Sequence, residues 1–410
     1  MLTAVLDDDP TGTQSATGAT VLLRWDTAAI VAALRDRPSV YLQTNSRALA
    51  RPDAVALARR IRAELRAAAV ALGRPVLPVL RGDSTLRGHV FAESDVFAGA
   101  GGCVLFVPAF PEGGRTTVGG VHRAEIDGVD TPVGETEFAR DPVFGFRSSN
   151  LVGYVREKGD RRGIPVPLDA LRASGGDAVA AALVSAGPGE FVVPDARTDA
   201  DISLIHNGLG SALAARDDIV VRCAAPLAAI CAGCRSTGYL ERPVATSRPG
   251  IMVVCGSHTA AATAQLTALL DSLGATVVEV PTDAALADPE AAGRAAAAQV
   301  RHRLQTSGIA VLSTERVRRP EHDSLVHGEA VMRALAAAVA GAEAGTVVTK
   351  GGITSAEVAR TALRATRARV RGQLAAGISV WDHDDGTVQV VVPGNVGGRE
   401  TLVDAIDRLA

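Results

Sequence analysis

Short runs of β-branched and aliphatic residues alternate along this chain with longer Ala- and Leu-rich runs of helical character. That alternation is the pattern of α/β folds built on parallel sheets. The apolar runs predict strands at Thr3–Asp7, Val40–Thr44, Val76–Leu80, Val104–Pro108 and Phe191–Pro194. Further on they predict strands at Ile251–Cys255, Thr276–Val280, Ile309–Ser313, Thr346–Thr349, Ile378–Trp381 and Val388–Val392. Between them lie helices such as Asp53–Leu72, with Pro52 ahead of it, Asp53 as its cap and Gly73 as its stop. Another is Thr259–Leu273, closed by Gly274.

Two stretches break the pattern. Ser236–Gly250 carries Gly238, Pro243 and Pro249 without apolar periodicity and reads as a linker. It divides the chain into domains at 1–235 and 250–410, with the linker at about 236–249, and 410 residues suit two domains of this size. The Gly-, Pro- and Thr-rich segment Pro111–Phe146 is too long for a plain connection, which marks it as functional. It suits a pocket wall, a cover over the site or a subunit interface.

Composition narrows the function classes. Hydrophobic residues at 47% and charged residues at 21% describe a chain that buries a core, built from aliphatics because aromatics are only 3%. A net charge of −3 with scattered basic pairs (Arg59–Arg60, Arg318–Arg319) gives no nucleic-acid footprint. The first 25 residues open on an acidic cluster rather than a basic start and an apolar run, and no apolar stretch reaches the ~18 residues of a membrane span. Five cysteines fit a reducing cytoplasm, and the lone Cys231–Cys234 pair lacks two further zinc ligands, so these are read as structural thiols. His322 and His327 are read as surface or core residues rather than ligands.

In open parallel sheets ligands bind at the carboxyl ends of strands. Four strand ends of the first half are followed by DDDPTGTQ from Asp7, TNSR from Thr44, RGDSTLRGH from Arg81 and PAFPEGGRTT from Pro108. Each alone is an ordinary cap or turn. Together they bring carboxylates, hydroxyls and arginines to one edge, an inventory suited to a polyhydroxy acid. Arginine forks grip carboxylates, while aspartates accept bonds and protons from hydroxyls. In an extended run Asp8 points away from Asp7 and Asp9, and Asp8 or Asp9 suits a substrate or a Mg²⁺ contact.

In the second half, three strands run into small-residue turns that open helices: CGSHT from Cys255, TKGGITS from Thr349 and VPGNVGG from Val392. Helix N-termini offer free N–H groups to anions, and glycine lets the backbone come close. Three at one sheet edge suit a polyphosphate. There is no GxxxxGK[ST] and no complete GxGxxG.

In this order, the segments DDDPTGTQ, TNSRAL, RGDSTLRGH, PAFPEGGRTT, GETEFARDPVFGFRSSNL, GSHTAAATAQL, TKGGITSAEVA and VVPGNVGG resemble the four-carbon acid sugar kinase family. The resemblance runs from about Leu2 to Gly398. It implies an N-terminal acid-sugar-binding domain, a C-terminal nucleotide-binding domain, and ATP-dependent phosphorylation of the terminal hydroxyl of an acid such as threonate, erythronate or a 3-oxo-tetronate; Mg²⁺ bridging the phosphates is the metal that such chemistry calls for. It places substrate contacts on Asp8, Asp9, Ser46, Arg47, Asp83, Ser84, Thr85 and Arg87. It places ATP contacts on Ser257, Gly351, Gly352, Ile353, Thr354, Gly394 and Gly397. The chain departs from the family's usual ADD-F-T-G opening and carries the PEGGR and DPVFGFRSSN segments, features of a divergent branch whose acid is left open.

The expected chemistry follows. Arg47 and Arg87 hold the carboxylate, Asp83 or Asp9 takes the proton of the attacking hydroxyl, and Lys350 is either a phosphate contact or a solvated lysine. The metal ligands are left unassigned. The partners are the acid and ATP, with no nucleic acid and no membrane, and a homodimer is the candidate assembly. A nicotinamide-dependent sugar-acid dehydrogenase and a non-catalytic sugar-acid sensor are the rival readings.

Overall fold

The first strand, β1 (Leu2–Asp7), is buried at every position, as a strand covered on both faces of a parallel sheet must be. In the computed structural model the described residues are 1–126, 128–244, 246, 248–317, 325–394 and 396–409. Arg318, Arg319, His322 and Asn395 therefore lie outside them. The chain separates into two compact units, Met1–Arg235 and Ser236–Ala410.

The strands of the first unit are β1, β2 (Thr20–Leu22), β3 (Ser39–Gln43), β4 (Val76–Arg81), β5 (Cys103–Val107), β6 (Arg115–Val118), β7 (Val121–Ile126), β8 (Val129–Pro132), β9 (Gly163–Val166), β10 (Phe191–Pro194) and β11 (Ile219–Cys223). Its helices are α1 (Thr27–Arg35), α2 (Arg51–Leu72), α3 (Val90–Ala98), α4 (Leu151–Gly159), α5 (Leu168–Ala173), α6 (Asp177–Ser185), α7 (Asp199–Ala215) and α8 (Ala225–Cys231). Within the unit the main sheet runs β2-β3-β1-β4-β11-β5-β10-β9, with every pairing parallel. The chain passes from β1 to β3 on one side and then crosses to β4 on the other. The end of β1 is therefore the switch point where parallel sheets bind ligands. Ile30 and Leu34 of α1 and Ile61 and Leu65 of α2 pack on Leu2, Ala4, Val40 and Leu42. Strands β6, β7 and β8 form a separate antiparallel meander.

The second unit contains β12 (Ile251–Cys255), β13 (Val278–Val280), β14 (Ile309–Thr314), β15 (Thr346–Lys350), β16 (Arg367–Ala375), β17 (Ile378–His383) and β18 (Val388–Val392). Its helices are α9 (Ala260–Leu273), α10 (Thr282–Ala287), α11 (Pro289–Ser307), α12 (Leu325–Ala342), α13 (Gly352–Glu357) and α14 (Thr401–Asp407). The order is β13-β14-β12-β15-β18-β17-β16, parallel through β18 and antiparallel from there. Met252 and Val254 face one core with Val300 and Leu335, whereas Val253 faces another with Leu266 and Leu402. That is the alternation of a strand covered on both sides. No helix among the described residues is long and apolar enough to cross a membrane.

Several expectations change. Asp53 is not the cap of α2: the helix begins at Arg51 after Ala50, with Pro52 in its first turn and Asp53 one residue further in. Gly73 does close it, in the left-handed conformation that glycine adopts without strain. The segment Pro111–Phe146 is not a loop, since it carries the meander. Strand β11 went unforeseen because Arg222 interrupts its apolar run, and β2, β9 and β16 because they are short or mixed in polarity.

Candidate functional site

The neighbours β3, β1 and β4 deliver Thr44–Arg47, Asp7–Asp9 and Arg81–Arg87 to one edge, and β11 enters between β4 and β5 with Arg222 near its end. The strand geometry of β1 stops at Asp7, so the expected alternation of the three aspartates does not hold. Asp9 caps a 3₁₀ turn at Pro10–Thr13, accepting from the Thr11 N–H at 2.8 Å. Carboxylate oxygens of Asp7, Asp8 and Asp9 consequently converge to within 4.8 Å of one another. Arg81 bridges all three: its Nη1 lies 3.0 Å from Asp7, 3.3 Å from Asp8 and 2.9 Å from Asp9.

Asp83 is the second focus. Its Oδ2 accepts from Thr85 Oγ1 and from Arg87 Nε at 2.7 Å, with Arg47 Nη1 at 3.5 Å. Arg47 also pairs with Asp9. Burial alone would raise the Asp83 pKa. The charges of Arg87 and Arg47, with the bonds from Thr85 and Arg87, outweigh burial and hold it well below the ordinary carboxylate range. The side chains of Arg47 and Arg87 stay 20% and 23% exposed while the aspartates they pair with are buried, so these two arginines are the cluster's accessible cations. Ser46, Ser84 and Thr85 are buried.

Asp7 is different. Complete burial pushes it up to about 7 against the pull of Arg81. Between about pH 4 and pH 7 the folded chain therefore keeps a proton that the unfolded chain releases. This stabilisation is present below about pH 4 and is lost as pH rises through about 7, with a slope of at most about 1.4 kcal/mol per pH unit. Asp7→Asn should flatten the decline of Tm between pH 5 and pH 8. An unchanged decline in the variant would remove Asp7 as the titrating group.

The Asp83 loop is held by its backbone. His122 of β7 is fully buried, with Nε2 2.7 Å from the Ser84 carbonyl and Nδ1 2.9 Å from Thr117 Oγ1. Burial lowers the His122 pKa to about 4, so the ring is neutral: Nε2–H donates to Ser84 and Nδ1 accepts from Thr117. Tyr154 of α4 donates to the Leu86 carbonyl at 2.9 Å, where Leu86 sits at a left-handed φ of 68°. Arg87 stacks 4.9 Å above the Phe138 ring. Residues 111–146 thus supply His122 and Phe138 to the loop. Arg81 stood in the RGDSTLRGH segment with no role assigned to it, while Arg222 and His122 were not singled out in the sequence at all. A charged residue inside an apolar strand, as at Arg222, was the signal available.

In the second unit the turns after β12, β15 and β18 are neighbours because these three strands are adjacent and parallel. They meet at Ser257. A Cβ on Gly351 would lie 3.0 Å from Ser257 Cβ, and one on Gly394 would lie 3.2 Å from Ser257 Oγ. Thr259 caps α9 and donates to the Gly394 carbonyl at 3.2 Å. Gly351 has φ 108°, Thr354 is buried and Ile353 is 58% exposed. Gly352 opens α13, and Gly397, with φ 84°, lies in the loop that Gln265 ties to α9. The third turn does not open a helix directly, since α14 starts only at Thr401.

Lys350 corrects both earlier expectations. It is fully buried, and its ammonium donates to the Pro393 carbonyl at 2.6 Å, so it is neither a solvated lysine nor a group reaching out of the turn. Burial lowers its pKa to about 8. The cation flanking the cluster is Arg316, just beyond β14, which donates to the Ser257 carbonyl and to Thr263 Oγ1 at 2.9 Å. Cys231 and Cys234 are raised by burial to about 12 and about 11, which keeps them as thiols.

Comparison with known proteins fits this division. Residues 3–231 match the sugar-binding N-terminal domain family, and residues 252–402 match the nucleotide-binding C-terminal domain family. A D-threonate kinase of Cupriavidus necator is 34% identical over 126 residues, a match that spans 30% of this chain and 28% of that protein. Two solved structures share the fold along nearly the whole length. One is described as a putative tRNA synthase from Salmonella typhimurium LT2, with TM-score 0.69, 17% identity and 98% of each chain covered. The other is Haemophilus influenzae protein HI1011, with TM-score 0.64, 15% identity, and 99% of this chain and 100% of that one covered.

Proposed function

Because the chain belongs to the four-carbon acid sugar kinase family, we propose that it transfers the γ-phosphoryl group of ATP to the terminal hydroxyl of a four-carbon sugar acid. The observation that carries this reading is the Asp83 cluster: a buried carboxylate beside two partly exposed arginines, at the switch point of a parallel sheet. Arg47 and Arg87 present guanidinium edges to the acid's carboxylate. Asp83 takes the hydroxyl proton. Its low pKa suits a loose phosphoryl-transfer transition state, in which the proton leaves late and little basicity is needed. Asp9, bound by Arg47 and Arg81, is the second candidate for that proton.

The glycine turns at Ser257, Gly351–Thr354, Gly394 and Gly397 are the proposed phosphate seats. Close packing of Gly351 and Gly394 on Ser257 is what a backbone cradle requires, because a side chain at either position would fill it. Mg²⁺ supplies charge neutralisation when bound to the nucleotide. The Asp7–Asp9 cluster does not fit it as a resident ion, because Arg81 already occupies the centre of those carboxylates. Mg²⁺ characteristically arrives on phosphates with its waters rather than in an all-protein cage.

The test is ADP release with ATP–Mg²⁺ across D- and L-threonate, D- and L-erythronate and the 3-oxo acids. The partial likeness to a D-threonate kinase puts D-threonate first. Turnover of one acid supports the proposal. No turnover together with no ATP binding would sink it and promote the sensor reading, while a spectral change with NAD(H) would promote the dehydrogenase.

A further inference from the structure

Arg222 has a half-used guanidinium. It enters on β11, its Nη1 pairs with Glu93 of α3, and its Nη2 lies 4.0 Å from Asp8 Oδ2. That separation is too long for a hydrogen bond. Both atoms are buried, in residues only 2% exposed, and neither has a hydrogen-bond partner among the described residues. Buried charged groups are ordinarily satisfied, so a facing donor and acceptor left over together point to something that joins them.

The surroundings are built for a close fit. A Cβ on Gly82 would come within 2.6 Å of Arg222 Nη2, and one on Gly88 would lie 3.3 Å from Asp8 Oδ2 and 3.4 Å from Arg222 Nη2. Both ends of the Asp83 loop are therefore laid bare-backboned against this pair. A cavity with room for about one water is lined by Asp8, Arg81, Glu93 and Arg222 on its polar side and by Leu57 and Ile61 on its apolar side.

We infer that Asp8 Oδ2 and Arg222 Nη2 form a one-oxygen site for a hydroxyl group, which donates to Asp8 and accepts from Arg222. The pair selects that chemistry. A carboxylate has no proton to give Asp8, an ammonium cannot accept from Arg222, and a methylene leaves both atoms unpaired. The hydroxyl belongs either to the sugar acid or to an ordered water. The first case rests on the acid-sugar reading above and makes Arg222 a specificity residue of that unit; the second does not depend on it.

The experiment combines wild-type crystals, with and without a turned-over acid, and kinetics of wild type and Arg222→Lys on that acid and its 2-deoxy and 3-deoxy analogues. If the hydroxyl is the substrate's, wild type prefers the parent over one deoxy acid by ~10²-fold or more, and Arg222→Lys collapses that preference while largely keeping turnover of the deoxy acid. If it is water, the preference is unchanged in Arg222→Lys, and crystals without acid show one oxygen bonded to both atoms. Crystals in which Asp8 and Arg222 bond directly to each other, or are satisfied by other protein groups, would overturn the site. Should no acid be turned over, or Arg222→Lys fail to fold, the wild-type crystals without acid still decide between a bound oxygen and none.

Discussion

Replacing Asp83 by asparagine should lower kcat by ~10²–10⁴-fold while changing the KM for the acid by less than ~10-fold. The shape is kept and the proton acceptor is lost. Arg87 retains its bond to Thr85 Oγ1 at 3.1 Å and its stacking on Phe138, so the carboxylate grip outlasts the lost charge. The wild-type pH profile carries a matching signature. Because Arg87 and Arg47 outweigh burial at Asp83, this carboxylate stays ionised well below its ordinary pKa, and it should add no acid limb to kcat/KM between pH 8 and about pH 5. Near-normal kcat in Asp83→Asn would move the proton to Asp9. An equal rise in KM with kcat retained would make Asp83 a holder of the arginines only.

Gly351→Ala should damage both the fold and the proposed phosphate seat of the second unit. At φ 108° an alanine is strained, at a cost of about 1–3 kcal/mol, and its methyl would also press on Ser257 Cβ at 3.0 Å. Gly394→Ala separates phosphate binding from folding. Its Cβ would press on the Ser257 hydroxyl at 3.2 Å, a group that can turn aside, and would meet Gly351 Cα and Ser257 Cβ at an ordinary 3.9 Å. The expectation is a lower Tm and weakened ATP binding for Gly351→Ala. For Gly394→Ala the expectation is an almost unchanged Tm with the KM for ATP raised ~10-fold and the KM for the acid unaltered. Unchanged ATP kinetics in a folded Gly394→Ala would make these turns structural only.

Much of this was legible in the chain. Strands such as Ile251–Cys255 and Cys103–Val107 are continuous apolar runs, because both of their faces are covered, and their ends announced the polar loops. Side-chain partnership was not legible. Nothing in DDDP says that the chain leaves extended geometry after Asp7 and folds three carboxylates around Arg81, a residue 72 positions away from Asp9. Nor does TKGG say that the lysine points into the core, where the Pro393 carbonyl gives its ammonium a partner. Arg222 lay hidden for the opposite reason: its charge disguised a fully buried strand.

The grip of His122 and Tyr154 falls on the carbonyls of Ser84 and Leu86, not on their side chains. The loop's shape is thereby uncoupled from part of its lettering. Position 84 can be rewritten by mutation or by selection without releasing the clamp, so under the proposed function this scaffold would offer a route to new substrates in which the catalytic frame is inherited and the selectivity is edited.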